Sequence, residues 1–407
     1  MKLLSLQYHV YPDAIGGAWK VTHELNRRLV QREHTVHTIT CKPDEKLSDI
    51  ECLEGIHLHR IPFASSKNVW KLAKELWKRI GELCNGNSFD IIHIHNPLIG
   101  FLALLHPSLW KIPVVYHFHS AWFDEEKINR KAEDKSGGIQ GVFGQFLLLA
   151  VRLMEWYCYF RSNQILMLSD YSLRRFRRFF PFYGAQAKII PGGVDVGEFR
   201  PAENVQEKRK LREQLQLPSD LPILLTVRRL HYRMGLESLI QALAQIEDIA
   251  QPPKYLFLIA GEGPLQEQLS RQINEFGLND KVRLTGALGQ EILPLYYRSA
   301  DAFILPTAKI EGFGLSTAEA LASGLPVIGT PVGATQNILG TIDPKLLFDG
   351  TDPESLSKGI LEYLNNRQMY SELSAACREK AVSQYSWEGA ADQTETLFLE
   401  LIKARKK

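Results

Sequence analysis

The sequence is poor in cysteine, and its few cysteines show no paired spacing. Five occur among 407 residues: Cys41, Cys52, Cys84, Cys158 and Cys377. An odd number without a CxxC pair is untypical of a disulfide framework or of a cysteine zinc site. The pattern predicts buried free thiols and a reducing, cytoplasmic setting.

An excess of charge is also missing. The formal net charge is only +2, with 23% charged and 45% apolar residues. This balance is typical of a soluble globular protein and gives no global attraction to nucleic acid, so no nucleic-acid partner is expected. The length suffices for two domains of ordinary size, each with its own core.

Long uninterrupted apolar runs are absent as well. The most apolar stretch, 142–160, contains Gln145, Arg152 and Glu155. A spanning helix avoids such a charged pair, so we predict a buried amphipathic helix there and no transmembrane segment. At the start of the chain, Gln7 and His9 interrupt the apolar run and no small-residue cleavage site follows, which argues against a signal peptide.

Two ligand motifs are missing. The sequence has no GxGxxG, so a dinucleotide cofactor is not supported, and no evident DxD motif for a metal-bound diphosphate. What the chain does have is a regular alternation of strand-like and helix-like runs from end to end. Such alternation predicts βαβ units and parallel sheets. The charged stretch 202–220 divides the pattern into two Rossmann-like halves, 1–200 and 201–385.

The most informative stretch is 306–331, PTAKIEGFGLSTAEALASGLPVIGTP, which follows an apolar strand. Glu311 lies in a glycine-rich loop and Glu319 on the helix behind it. Both acids can face one crevice, while glycines admit close backbone approach and the helix N-terminus can bind phosphate. The simpler interpretation is that both acids only favour the helix dipole.

The motif EGFGLxxxEAxAxGxPV resembles the signature of family 4 glycosyltransferases, retaining nucleotide-sugar enzymes of GT-B fold. Further similarity lies in PGGVD with Phe199-Arg200-Pro201, in AGEGP at 260–264 and in Tyr385-Ser386-Trp387. The resemblance covers almost the whole chain. It implies an α/β protein with two doubly wound Rossmann-like domains facing across a cleft, the acceptor bound by the first and the donor by the second. It also implies a last helix, about 386–407, that crosses back to the first domain.

The resemblance suggests roles for particular residues. Arg229 corresponds to the arginine that stabilises the diphosphate leaving group, and Met234 stands where the family has a lysine. Arg233, next to Met234, or Arg228 could take over that second contact. Glu311 would lie near the transferred sugar, and Glu319 would hold the ribose hydroxyls. The remaining donor contacts would come from backbone at Gly16, Gly17, Gly261, Gly263, Gly312, Phe313, Gly314 and Leu315. Gly16-Gly17 alone would also be explained by a plain tight turn.

Four histidines on two strands support a rival hypothesis. His93/His95 and His117/His119 each form a His-x-His pair, whose members share one strand face. Together they could bind a metal, as in a metal-dependent hydrolase, although no matching carboxylates are evident. The resemblance instead favours His119 as an active-site histidine that contacts sugar hydroxyls or the acceptor.

A basic segment raises the question of membrane contact. Arg174, Arg175, Arg177 and Arg178 alternate with aromatic residues. Such a pattern fits an anionic membrane surface, and it fits equally a helix with a charged outer face and an aromatic inner face. We favour the second interpretation and keep contact with the inner face of the membrane as an alternative.

These observations predict a retaining glycosyltransferase of polysaccharide or glycolipid biosynthesis. Its donor would be a UDP-sugar, with GDP-mannose next, and its acceptor a hydroxyl group of unknown identity. No metal is expected to be required, because fixed cations would replace it. Three alternatives remain open: a GT-B epimerase or phosphorylase, the metal-dependent hydrolase, and a non-catalytic partner subunit, which Met234 would suit.

Overall fold

The computed structural model describes residues 1–14, 16–62, 69–124 and 140–406, without the side chains of 140–145, 184–186 and 406. Contacts divide the chain into two compact units. The first unit comprises Met1–Pro191 and Trp387–Lys407, and the second comprises Gly192–Ser386. The predicted boundaries of independently folding domains, at residues 200 and 385, stay a prediction, because contacts within a unit do not measure independent folding.

The first unit is built on an eight-stranded sheet in the order β3-β4-β2-β1-β5-β6-β7-β8. Its strands are β1 (Lys2–Leu6), β2 (Thr35–Cys41), β3 (Ile50–Leu53), β4 (Ile56–Ile61), β5 (Ile91–Ile94), β6 (Val114–Phe118), β7 (Gln164–Met167) and β8 (Ala187–Ile189). Every neighbouring pair is parallel except β3 and β4. Central strands are buried apolar runs, as a parallel sheet covered on both faces requires.

The antiparallel edge strand β3 departs from the parallel sheet that the alternation predicts. A two-residue turn, Glu54-Gly55, joins it to β4, with φ of 50° and 82°. Positive φ at both turn positions defines the hairpin turn that matches strand twist. Residues of β3 are largely exposed, so the strand lacks the apolar run by which the central strands were recognised.

The second unit contains a five-stranded parallel sheet in the order β11-β10-β9-β12-β13. Its strands are β9 (Ile223–Val227), β10 (Leu256–Ala260), β11 (Val282–Gly286), β12 (Ala302–Leu305) and β13 (Val327–Gly329). All five correspond to apolar runs in the sequence. Two Rossmann-like sheets are therefore present, and the predicted fold class is confirmed.

Helices connect the strands in both units. The first unit has α1 (Gly17–Gln31), α2 (Val69–Gly86), α3 (Pro97–Leu104), α4 (Gln140–Arg161) and α5 (Asp170–Phe179). The second has α6 (Val205–Gln214), α7 (Leu236–Glu247), α8 (Gln266–Glu275), α9 (Leu293–Ser299), α10 (Leu315–Ala322), α11 (Thr335–Gly340), α12 (Pro353–Asn365), α13 (Arg367–Glu372) and α14 (Ser374–Gln384). The last helix, α15 (Trp387–Lys406), packs on α1 of the first unit.

Helix α4 is the apolar stretch that the sequence assigned to the interior, and that prediction is wrong for its outer face. Val151, Glu155 and Cys158 are buried. The outer face is nevertheless apolar and exposed, at Phe146, Leu149, Leu153, Trp156 and Phe160. Among the described residues, no helix combines the length and hydropathy that crossing a bilayer requires.

Candidate active site

A buried ion pair stands at the carboxyl edge of the second sheet. Arg228 follows β9, and Glu311 lies in the loop after β12. The Arg228 Nη2 donates to Oε2 of Glu311 at 2.5 Å, and its Nη1 donates to Oγ1 of Thr307 at 2.5 Å. The Thr307 hydroxyl also donates to Glu311 Oε2 at 3.3 Å. Two residues that the sequence singled out separately are thus joined, and Thr307 had no sequence signal beyond its place after a strand.

The neighbouring arginines differ from Arg228 in exposure. Arg229 is exposed, whereas Arg233 is half-buried. The Arg233 Nη1 donates to the carbonyl of Ile310 at 3.0 Å, and the Arg233 carbonyl accepts the N–H groups of Ala308 and Lys309. Arg233 therefore holds the segment just before Glu311, where Ile310 has a φ of 55°.

Met234, which stands where the resemblance implies a lysine, is buried in the second unit. Its exposed fraction is 7%, and it lies in a short 3-10 turn, Tyr232–Met234. An apolar side chain fits such a position, whereas a lysine would have to extend its ammonium group to solvent or to a ligand. The cation nearest to this position in the sequence is that of Arg233.

The glycines after β10 allow backbone to pack on backbone. A Cβ at Gly261 would lie 1.8 Å from the Arg228 carbonyl oxygen, and one at Gly263 would lie 2.3 Å from that of Leu230. Gly333 is similar, because its Cβ would lie 2.2 Å from the carbonyl oxygen of Glu311. This packing fixes the backbone of Arg228 and Glu311. The sequence did not predict this packing role for Gly333. Ligand contact by Gly261 and Gly263 stays a prediction.

The signature segment forms a glycine-capped helix. Gly314 has a φ of 82° and is the N-cap of α10, which begins at Leu315. Among the described residues no side chain caps this end, so the N–H groups of Leu315 and Ser316 have no side-chain partner. The preceding Phe313 is buried, and its ring would contact a Cβ at Gly192 at 2.9 Å. Gly312 lies in the loop between Glu311 and this ring.

Glu319 lies on α10 and is 6% exposed. Its Oε2 accepts a hydrogen bond from the Tyr297 hydroxyl at 3.0 Å. Burial, together with the negative charge of Glu319, raises the pKa of Tyr297 well above its usual value, so the phenol stays a donor. Tyr297 thus orients the carboxylate that the family resemblance assigns to ribose, and no local sequence pattern pointed to this partner.

In the first unit, Gly16 is the N-cap of α1 and Gly17 is its first residue. Gly16 is in extended conformation, and a Cβ there would lie 2.8 Å from the ring of Trp19. Contact with Trp19 is therefore one reason for glycine at this position. The assignment of Gly16 and Gly17 to donor binding stays a prediction.

The four histidines do converge at the carboxyl ends of β5 and β6. His95 Nε2 lies 3.1 Å from His93 Nδ1, and His95 Nδ1 lies 3.2 Å from His119 Nε2. The His117 ring stacks on that of His119 with centroids 4.6 Å apart. Burial lowers the pKa of His93 to about 3 and that of His119 to about 4. It also holds the pKa of His95 and of His117 well below the usual value, so all four rings are neutral near pH 7.

The basic segment forms α5 and the turn after it, and two of its aromatic residues point inward whereas Phe182 is exposed. Phe176 and Phe180 belong to the core of the first unit. Arg174, Arg177 and Arg178 are exposed, whereas Arg175 donates through Nε to Asp124 at 2.6 Å. The segment has the charged outer face and aromatic inner face that we favoured from the sequence.

The two α/β units, each built on a mainly parallel sheet, define the GT-B class of fold. Residues 15–198 match the family described as "Glycosyltransferase Family 4", and residues 207–382 match "Glycosyl transferases group 1". The chain belongs to glycosyltransferase family 4 and is an enzyme. The resemblance inferred from the signature is confirmed.

Similar proteins match the chain over nearly its full length, one by sequence and two by fold. An uncharacterised glycosyltransferase of Methanocaldococcus jannaschii is 25% identical over 402 residues, 98% of each chain. The structure of sucrose-phosphate synthase from Thermosynechococcus elongatus matches 99% of both chains with a TM-score of 0.82 and 22% identity. HepE of Anabaena, solved in complex with UDP-glucose, covers 98% of this chain and 99% of its own, with a TM-score of 0.74 and 18% identity.

Proposed function

We propose that the protein transfers a sugar from a nucleotide diphospho-sugar to a hydroxyl acceptor with retention of configuration. A UDP-sugar is the first choice of donor and GDP-mannose the second. The observation that carries the proposal is the carboxyl edge of the second sheet, where Arg228, Arg229 and Arg233 accompany Glu311 and the glycine-capped helix α10. Ligands of open α/β sheets bind at this edge.

The arginines would act on the leaving group. Negative charge develops on the nucleoside diphosphate as the sugar bond breaks, and fixed cations and helix N–H groups stabilise it. We assign this role to Arg229 and Arg233, with the first turn of α10 binding phosphate. Because these cations would supply the charge, the transfer would require no metal or other cofactor.

Glu311 is suited to positioning and poorly suited to covalent attack. Its Oε2 already accepts hydrogen bonds from Arg228 and Thr307, and such a stabilised carboxylate is a weak nucleophile. We therefore propose front-face substitution assisted by the departing phosphate, with Glu311 orienting the sugar. Glu319 would accept hydrogen bonds from the ribose hydroxyls, and His119 of the first unit would contact the acceptor.

A thermal-shift panel tests the donor site. UDP, GDP, ADP and dTDP would be added singly to the full chain, each with and without EDTA. Preferential binding to the folded state raises Tm, so UDP should raise it most, equally in EDTA. The complex of the structurally similar HepE with UDP-glucose supports this base. A larger shift with GDP would transfer the proposal to GDP-mannose, and no shift with any nucleotide would contradict a donor site.

Catalysis itself is tested by turnover. Release of UDP from UDP-sugars, in the presence of glycan and lipid acceptors, should exceed the rate of donor hydrolysis without acceptor. Nucleotide binding without turnover of any UDP- or GDP-sugar would favour the non-catalytic partner subunit. Metal-dependent hydrolysis of the donor would favour the hydrolase alternative, which membership of this family disfavours.

We further propose that the first unit contacts an anionic membrane through α4. The exposed apolar side chains of α4 recur at spacings of three and four, which aligns them on one face. Within 146–161 the only acid is Glu155, and it is buried, whereas Arg152 is exposed. A face that combines apolar residues with cations suits anionic lipid, and the exposed Arg174, Arg177 and Arg178 of α5 add positive charge to this unit. Such contact would place a cytoplasmic enzyme at the inner face of the membrane.

Vesicle co-sedimentation tests the membrane proposal. Wild type should bind vesicles rich in phosphatidylglycerol and leave phosphatidylcholine vesicles unbound at moderate salt. Leu153→Glu should abolish binding, because it places an acid in the apolar face. Val382→Glu, at an exposed apolar position of the second unit, is the matched control. Equal binding of both variants, or no binding by wild type, would contradict the proposal. Dimerisation that depends on concentration and is lost in Leu153→Glu would instead identify the apolar face of α4 as a contact between copies of the chain.

A further inference from the structure

The histidine cluster of the first unit contains more unpaired nitrogen than a packed core tolerates. His93 and His117 are 0% and 1% exposed. Within the described part of the chain, Nε2 of His93, Nδ1 of His119 and both ring nitrogens of His117 have no hydrogen-bond partner. Buried polar atoms are normally paired, and leaving one unpaired costs about 1–3 kcal/mol.

The unpaired atoms follow from the chemistry of neutral imidazole. Each neutral ring has one N–H group and one lone pair. His93, His95 and His119 form a row with two contacts between neighbouring rings. Whichever direction the protons take, one end of the row keeps an unpaired N–H and the other an unpaired lone pair. His117 adds one of each, so the cluster always offers free lone pairs in a buried setting.

Three ring nitrogens of the cluster lie at ligand spacing, and two of them, His93 Nδ1 and His95 Nε2, would exchange their contact with each other for the ion. One ring nitrogen from each of His93, His95 and His117 lies within 4.8 Å of the others. The separation of 3.1 Å between His93 Nδ1 and His95 Nε2 is close to what two imidazoles adopt on one ion at about 2.0–2.1 Å each. The His117 ring makes stacking contacts with His93 and His95, so a turn of this ring would complete a three-nitrogen site.

We propose that His93, His95 and His117 bind a first-row divalent cation of the zinc type. His119 would be the positioning partner, because His95 binds through Nε2 while its Nδ1–H donates to His119 Nε2. A second hydrogen bond of this kind fixes the tautomer and orientation of a ligating histidine. Three neutral imidazoles without a carboxylate select zinc, copper, nickel or cobalt over magnesium or calcium. The three proposed ligands have no role in the sugar transfer proposed above, whereas His119 would serve both the metal site and the acceptor contact.

Metal titration of the full chain tests the site. Protein stripped with a chelator should bind one Zn²⁺ saturably by calorimetry, and Co²⁺ at the same site should show the visible absorption of a low-coordinate ion. His117→Phe should lose both signals, because phenylalanine can keep the ring stacking and has no ligand atom. His119→Asn should keep the site and weaken Zn²⁺ binding by about 10- to 100-fold, the usual cost of losing an outer partner.

His59→Asn is the matched control. His59 lies in another histidine cluster of the same unit, with its Nε2 3.0 Å from His37 Nδ1, outside the three-histidine group. This variant should bind Zn²⁺ as wild type does. Absence of saturable Zn²⁺ binding by wild type overturns the proposal, and so does unchanged binding by His117→Phe. If His117→Phe does not fold, His93→Asn takes its place with the same two outcomes.

Discussion

At the scale of single residues, the second unit shows how neighbours in sequence receive different environments. Arg228 is buried and paired with Glu311, while Arg229 next to it is exposed. Successive side chains of an extended segment point in opposite directions, so the two adjacent arginines do not face the same surroundings. This alternation could be predicted from the strand, but the pairing of Arg228 with Glu311 required the fold.

Removal of Arg229 should impair catalysis more than stability. Arg229→Ala is expected to lower kcat by roughly 10²-fold or more, the scale of losing one donor that stabilises developing charge. Its Tm should change little because the side chain is exposed. Steady-state kinetics with the donor that the thermal-shift panel identifies measures the effect. Arg271→Ala, which removes an exposed arginine of α8, is the control. Near-wild-type turnover of Arg229→Ala would refute its assigned role.

Glu155 gives a residue-scale prediction about pH. Burial raises its pKa from 4.5 to about 7, although the Trp122 N–H donates to Oε1 at 2.8 Å. Because the folded state holds this proton more tightly, the stability it contributes is complete below pH 4.5 and is lost as pH rises to 7. The loss is about 3 kcal/mol at most.

Glu155→Gln should therefore raise the free energy of unfolding at pH 8 relative to wild type and leave it nearly unchanged at pH 4.5. Urea unfolding followed by tryptophan fluorescence measures this difference. Glu45→Gln, in an exposed loop, is the control. A variant less stable than wild type at pH 8 would show that the carboxylate is stabilised there by contacts rather than penalised by burial.

At the scale of elements, some turns pack closely against neighbouring backbone, and the strand pattern of the sequence does not reveal these contacts. Gly235 and Gly277 have similar backbone conformations, with φ of 74° and 67°. A Cβ at Gly235 would lie 1.8 Å from the carbonyl oxygen of Pro306, whereas one at Gly277 would meet nothing within 4 Å. The sequence predicts the turns, but only the structure distinguishes a glycine needed for conformation from one needed for space.

Gly277→Ala should cost about 1 kcal/mol of stability, the penalty for a left-handed alanine. Gly235→Ala should cost several times more, because the turn must also move away from Pro306. Far-UV circular dichroism during urea unfolding gives both values. Equal costs would mean that the second unit relaxes around Gly235 without loss.

The elements themselves were largely predictable, for a physical reason. Parallel strands buried on both faces appear as apolar runs, and β9 to β13 were all recognised in this way. The short edge strands β3 and β8 lack that signal. Burial was predicted wrongly for the outer face of helix α4, because the sequence does not distinguish exposed apolar residues from buried ones. The candidate site was predictable in its signature residues, whereas Thr307, Tyr297 and Gly333 act through contacts that no local pattern encodes.

At the scale of the whole molecule, histidine is unevenly distributed. All histidines except His231 lie in the first unit. Burial lowers the pKa of His37 and of His59 to about 4, in addition to the four of the cluster. A histidine with a lowered folded pKa binds protons more readily when unfolded, so stability is lost as pH falls below 6.5. Glu155 opposes this trend but is a single group.

Acidification from pH 7 to pH 5 should therefore destabilise the first unit more than the second. The two units can be followed separately, because every tryptophan lies in the first: Trp19, Trp70, Trp77, Trp110, Trp122, Trp156 and Trp387. In EDTA, the Tm from tryptophan fluorescence should fall further than the Tm of the remaining transition in far-UV circular dichroism. Equal shifts of both signals would contradict the prediction.

The route of the chain has a consequence for the order in which the protein forms during synthesis. The second unit is inserted into the first, and its entry and exit run side by side where the Val194 N–H donates to the Tyr385 carbonyl at 2.7 Å. Helix α15 then brings Trp387 and Phe398 into the first unit, and Glu395 pairs with Arg32 of α1. During synthesis, the whole second unit therefore leaves the ribosome before the last helix of the first unit is available. The synthesis of the first unit begins before that of the second and ends after it, so premature termination near residue 387 would leave the second unit complete and the first without its last helix.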